Sequence, residues 1–162
     1  MKIRFRIAAA TILVVSLIGP VNAEPTTVAM HDKGASTFYV PVTIDGWGTG
    51  DFLVDTGSSY MTIDEDTLAT LKESEQAVYV KDLMGTMADG RKLVVPVYRL
   101  STVKIGSGCE LHDVEAAVFP GSTRHILGLS ALRRAAPFQF DIEPPTLHLR
   151  GCKVVTQTAS LK

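Results

Sequence analysis

"FLVDTGSSYMTI", residues 52–63, places one carboxylate, Asp55, straight after an apolar run and follows it with four small residues before hydrophobicity resumes at Tyr60, Met61 and Ile63. Asp, Gly and Ser each favour turns, so a strand running into a turn accounts for part of this pattern. It does not account for the immediate return of apolar residues, because a surface loop normally carries a longer polar stretch. The turn is therefore expected to be buried. A buried carboxylate is costly unless hydrogen bonds or a shared proton compensate it, which makes Asp55 the first candidate for a functional group.

Outward from this stretch the chain reads as strands. Phe38 to Ile44 alternates, and "DGWGTGD" (45–51) connects it to Phe52-Leu53-Val54 as a glycine-rich hairpin. The glycine spacing does not fit a nucleotide-binding loop and no helix follows. "TIDEDTLATLKES" (62–74) is the best helical segment, with Leu68 and Leu71 on one face, acids in its first turn and Thr62 and Glu65 as a candidate capping box. Residues 77–100 form two strand-like runs around Ala88-Asp89-Gly90, a strong hairpin signal. Further strand pairs are expected from Thr102 to Ile105 with Val114 to Phe119, and from Phe138 to Ile142 with Thr146 to Leu149. Residues 24–35 and 155–162 read as loosely ordered ends. The pattern is that of a single all-β domain over 24–162, with a core from about 36 to 152 and one or two short helices.

The first residues resemble a secretory leader. Lys2, Arg4 and Arg6 precede an apolar core from Ile7 to Ile18, and Val21-Asn22-Ala23 supplies a small-residue cleavage site. The alternative, an uncleaved anchor, is weakened by a core of about 12 residues where a spanning helix needs roughly 20. Residues 1–23 are thus expected to be a signal peptide, leaving an exported chain with no membrane attachment. Losing three basic residues moves the net charge from −1 to about −4. No basic patch suggests nucleic acid. Cys109 and Cys152 both lie in the exported part, beside glycine-containing turns, where oxidation is permitted. They are a candidate disulfide, with two unrelated buried thiols as the alternative.

A second element completes the set. "RHILGLSALRR" (124–134) contains the apolar run Ile126-Leu127-Gly128 and then one short helical turn, about 70 residues after Asp55-Thr56-Gly57 and beyond the Asp-Gly hairpin. Together, "VPVTIDG" leading into "FLVDTGSS", the hairpin around "TMADG", and "ILGLSAL" with its trailing "FQFDIEPPTLHL" resemble the retropepsin-like aspartic proteases. These are the single-domain relatives of pepsin, and the resemblance, over about residues 38–150, is to their bacterial exported members. It implies a closed six-stranded-type barrel active as a homodimer, with Asp55 on a loop at the floor of a cleft. It further implies that Thr56, Gly57 and Ser58 support that loop, that Ile126, Leu127 and Gly128 pack beneath it, and that Ala88, Asp89 and Gly90 form a flap over the substrate. Ser58 replaces the Ala of many single-domain members, and Asp89 places an acid near the flap tip. A periplasmic location follows from the same likeness.

Peptide hydrolysis of this kind uses two carboxylates sharing one proton, and close carboxylates titrate as a pair, favouring acid to mildly acid pH. The chain carries one Asp-Thr-Gly, and Asp113 and Asp141 lack the turn that would place them beside Asp55. The second carboxylate is expected from a second copy across a two-fold axis. The substrate would be an extended peptide or protein segment, bound as an added strand. No metal or organic cofactor is required: His31, His112, His125 and His148 lack zinc-motif spacing. Ser58, Ser59 and Ser130 lack the glycine pattern of a nucleophile elbow. The remaining alternative is a catalytically silent module of the same fold that binds a peptide or protein partner in its cleft.

Overall fold

The computed structural model describes residues 25–86 and 90–152. The expected signal peptide (1–23), the flap residues Ala88 and Asp89, and the tail from 155 to 162 lie outside the described residues. Among the described residues, eleven strands and two short helices follow in the order β1 (Thr26–Ala29), β2 (His31–Asp32), β3 (Phe38–Ile44), β4 (Gly48–Val54), β5 (Met61–Asp64), α1 (Glu65–Glu73), β6 (Ala77–Thr86), β7 (Lys92–Ile105), β8 (Cys109–Phe119), β9 (Ile126–Leu127), α2 (Leu129–Leu132), β10 (Phe138–Ile142) and β11 (Pro145–Leu149).

Alternation builds the core. On β3 the side chains of Val40, Val42 and Ile44 are buried while Pro41 and Thr43 between them are partly open, as a strand with one covered face requires. An eight-stranded sheet runs β2-β3-β4-β9-β5-β8-β7-β6. In addition, β7 turns back onto β3 through Val42↔Ile105, Thr43↔Lys104 and Ile44↔Val103. A separate three-stranded sheet, β1-β11-β10, covers one end and is keyed to β3 by an edge-on contact of Phe38 with Phe140 at 5.4 Å. Leu68 and Leu71 anchor α1 on the main core. A smaller apolar cluster centred on Val95, Val97 and Ala117 fills the space under the β6–β7 hairpin.

Several expectations need correction. Thr26–Ala29, read as a loose end, is a strand paired with β11 (Thr26↔Leu149 to Ala29↔Thr146), and Val28 and Met30 are buried. The segment from Thr102 to Ile105 is the end of a 14-residue strand, and Val114 to Phe119 the end of an 11-residue one. The helix starts after Asp64, whose carboxylate accepts the Thr67 N–H at 2.8 Å. Thr62 belongs to β5, so no capping box forms, and Glu65 instead accepts the Gly121 N–H at 3.1 Å. The structure joins Cys109, at the start of β8, to Cys152 beyond β11.

Candidate functional site

β4 ends at Val54 and releases the chain into the Asp55 loop. Its last residues are held from an unexpected side: β9, a two-residue strand from far along the chain, lies parallel to it with Leu53↔Ile126 and Val54↔Leu127. β9 also meets β5 at Thr62↔Ile126, so the strands entering and leaving the loop are bridged by a third. The Leu53 N–H donates to the His125 carbonyl at 3.0 Å and the Asp55 N–H to the Leu127 carbonyl at 3.2 Å. Across the loop, the Leu129 N–H donates to the Ser58 carbonyl at 2.8 Å.

Within the loop the carboxylate is oriented by its own neighbours. Asp55 Oδ1 accepts the Gly57 N–H and Oδ2 accepts the Ser58 hydroxyl, each at 2.8 Å. A β-carbon on Gly57 would sit 3.1 Å from Oδ1, so the residue after Thr56 must stay small for the backbone to approach the carboxylate. Beneath, Gly128 passes so close to the Tyr60 carbonyl that a side chain there has no room. The expectation of a buried turn does not hold: Asp55 and Ser58 are half-buried, and Thr56 and Gly57 are exposed. Among the described residues, no packed element covers the tip of the loop, and Gly57 and Ser58 line a cleft of about 400 Å³. Gly57 to Tyr60 form one wall, Leu83 to Thr86 of β6 another, and Ala117 and Phe119 the base.

Other candidates lie apart. Asp141 is on the three-stranded sheet, held by Gln139 and 3.1 Å from His148 Nε2. Asp113 lines a different depression with His112 and Arg134. His112 faces Glu110 at 3.2 Å, and His125 faces Asp64 at 3.6 Å. Among the described residues, no group of three or more His, Cys, Asp or Glu is placed to hold a metal ion. Gly90, the described part of the expected flap, adopts a φ of +83°.

Two contributors escape sequence reasoning. Ser130, weighed there only as a nucleophile, accepts the buried Met61 N–H at 2.7 Å and donates to the Glu115 carbonyl at 2.6 Å. It brackets the exit of the loop. Lys81 of β6 reaches back to Tyr60, its ammonium 5.5 Å from the ring centre, and to Glu115 at 3.7 Å. The hydrogen bond to Tyr60, then the charge of Glu115, raise its pKa. A small polar residue in the apolar run "GLSAL" was the one local hint of Ser130.

A strand-borne Asp-Thr-Gly-Ser loop, braced from below by an Ile-Leu-Gly segment and opening on a cleft under a long hairpin, defines the architecture of retropepsin-like proteins. Among 140 solved chains that match, a retropepsin-like aspartic protease from Rickettsia conorii aligns with a TM-score of 0.54 at 23% identity, covering 77% of this chain and 89% of that one. This likeness is one of fold. A family model for aspartyl proteases matches residues 40–131, more than half of the sequence, and the chain belongs to that family. No curated protein matches it.

Proposed function

We propose that the protein is an aspartic endopeptidase that hydrolyses peptide bonds of an extended polypeptide between two Asp55 carboxylates of a homodimer. The observation that carries this reading is the placement of Asp55: its oxygens are fixed by Gly57 and Ser58, which themselves line a cleft, on a loop whose tip, Thr56 and Gly57, is left exposed by the described residues. A second copy related by a two-fold axis would cover Thr56 and Gly57 and supply the missing carboxylate. We read the circuit of pairings β3-β4-β9-β5-β8-β7 and back to β3 as the closed six-stranded barrel expected for such a subunit.

In this mechanism one carboxylate takes a proton from the attacking water while the other, carrying the shared proton, donates it to the scissile carbonyl oxygen. The tetrahedral intermediate then collapses. Its C–N bond breaks as the proton held by the first carboxylate passes to the leaving nitrogen, and one hydroxyl of the intermediate returns its proton to the second carboxylate, which re-forms the carbonyl and restores the shared proton. Thr56 and Ser58 hold the loop, and the hairpin carrying Ala88, Asp89 and Gly90 closes over the substrate. The basic, apolar and small-residue segments of residues 1–23 support export, with the periplasm as the destination.

The test is cleavage of a mixed peptide library by the purified protein from about pH 3.5 to 7, beside Asp55→Asn. Cleavage that the substitution abolishes, in a variant that still folds, supports the reading. Cleavage that survives it overturns the role of Asp55, and a folded, inert wild type points to a partner-binding module.

A further inference from the structure

His125 precedes β9, and its ring leaves the strand for the start of α1. Nε2 lies 3.1 Å from Thr67 Oγ1 and 3.6 Å from Asp64 Oδ2. The ring stacks on Phe52 of β4 at 4.8 Å and meets Trp47 edge-on at 5.2 Å. Both members of the pair are largely enclosed, with side-chain exposures of 15% for His125 and 16% for Asp64. Its main-chain carbonyl accepts the Leu53 N–H. One residue thereby joins β4, β9 and the helix start, two residues from each end of the bracket that holds Asp55.

The charged groups around it are few. Glu65 turns its carboxylate to the Gly121 N–H, and Asp45, in the turn with Trp47, pairs with Lys104 at 2.9 Å. Arg124 is its chain neighbour. Phe52, Trp47 and Thr67 carry no charge, which among the described residues leaves Asp64 as the carboxylate facing the imidazole.

We propose that His125 is a positioning residue: as an imidazolium facing Asp64 it clamps the Asp55-bearing strands to the start of α1, and so tightens the site under mildly acid conditions. Imidazole is the side chain that ordinarily changes charge between pH 5 and 8. Asp64 is ready for it over that whole range. Burial pushes its carboxyl up, but the Thr67 N–H and hydroxyl and the His125 charge outweigh this and hold it below its ordinary 3.8.

The test compares wild type with His125→Gln and Asp64→Asn between pH 5 and 8, measuring kcat, KM and urea unfolding midpoint. Gln keeps a donor near Thr67 without the charge, and Asn caps a helix as well as Asp does. The wild-type advantage in kcat over His125→Gln should grow roughly fivefold from pH 7.5 to 5, a coupling ordinary for contacting charged residues, with KM little changed. The difference in unfolding midpoint should grow in parallel, and Asp64→Asn should remove both trends. A loss of equal size at every pH, as packing alone would give, overturns the clamp. The kcat arm rests on the peptidase reading above, whereas the unfolding arm does not. If no pH gives cleavage, an unfolding difference that grows in acid keeps the clamp while the peptidase reading fails, and a flat one overturns the clamp. Should His125→Gln fail to fold, the pH trend of Asp64→Asn against wild type decides in the same way.

Discussion

Ser130 and Met61 are joined by a hydrogen bond of 2.7 Å from the Met61 N–H to the Ser130 hydroxyl, although they belong to different elements, α2 and β5, and stand 69 residues apart in the chain. Met61 is fully buried, so its N–H depends on the hydroxyl for a partner inside the fold. Ser130→Ala should cost about 1–3 kcal/mol, the penalty for a buried donor left unpaired. Urea unfolding measures it, and a loss well under that range would mean that the backbone finds another acceptor.

Gly128→Ala tests the floor of the loop. The added carbon would lie 2.6 Å from the Tyr60 carbonyl carbon and 2.8 Å from the Ser58 oxygen, and both are backbone atoms that cannot swing away. The expected destabilisation is about 1–3 kcal/mol, as for overpacked interiors, with the strands around Asp55 displaced. Amide exchange at Asp55 and Leu129 should accelerate more than exchange in β10 and β11.

Removing the bridge between Cys109 and Cys152 frees a loop with a sequence separation of 43. Replacing both by Ser should lower stability by about 2–4 kcal/mol, mainly through the unfolded chain. The unfolding midpoint with and without reductant measures the effect in the wild type, and reductant should leave the double variant unchanged.

Asp64 sets an acid limit. Its folded carboxyl titrates below the ordinary 3.8, so the stability it contributes is fully present above that value and is lost as pH falls through the lower, folded one. Unfolding between pH 5 and 2.5 should show a shallower decline for Asp64→Asn than for wild type. An identical slope would assign the acid loss to other carboxylates.

Much of this fold is legible locally. Phe38 to Ile44 alternates cleanly, Leu68 and Leu71 mark the helix, and Asp-Gly marks the long hairpin. The misses share one physical cause, which is distant pairing. Thr26 to Ala29 has little pattern of its own and becomes a strand because β11 lies beside it. Ser101 interrupts an apolar run, yet β7 continues through it because β8 pairs with the residues on either side of it, Leu100↔Val114 and Thr102↔His112, and the Ser101 N–H donates to the Gln76 carbonyl at 3.0 Å. For the same reason the small residues after Asp55 reveal a turn but not its exposure, and Ser130 is seen as a bracket only once β9 is placed between β4 and β5.

The insertion of β9 also bears on the order of events during synthesis. A chain released from the ribosome only as far as residue 120 contains the whole Asp-Thr-Gly-Ser segment, yet it lacks the carbonyls of His125 and Leu127 that receive the Leu53 and Asp55 amides. Truncated or unfinished copies therefore cannot assemble the loop, and whatever this carboxylate does is withheld from the cell until nearly all of the domain exists.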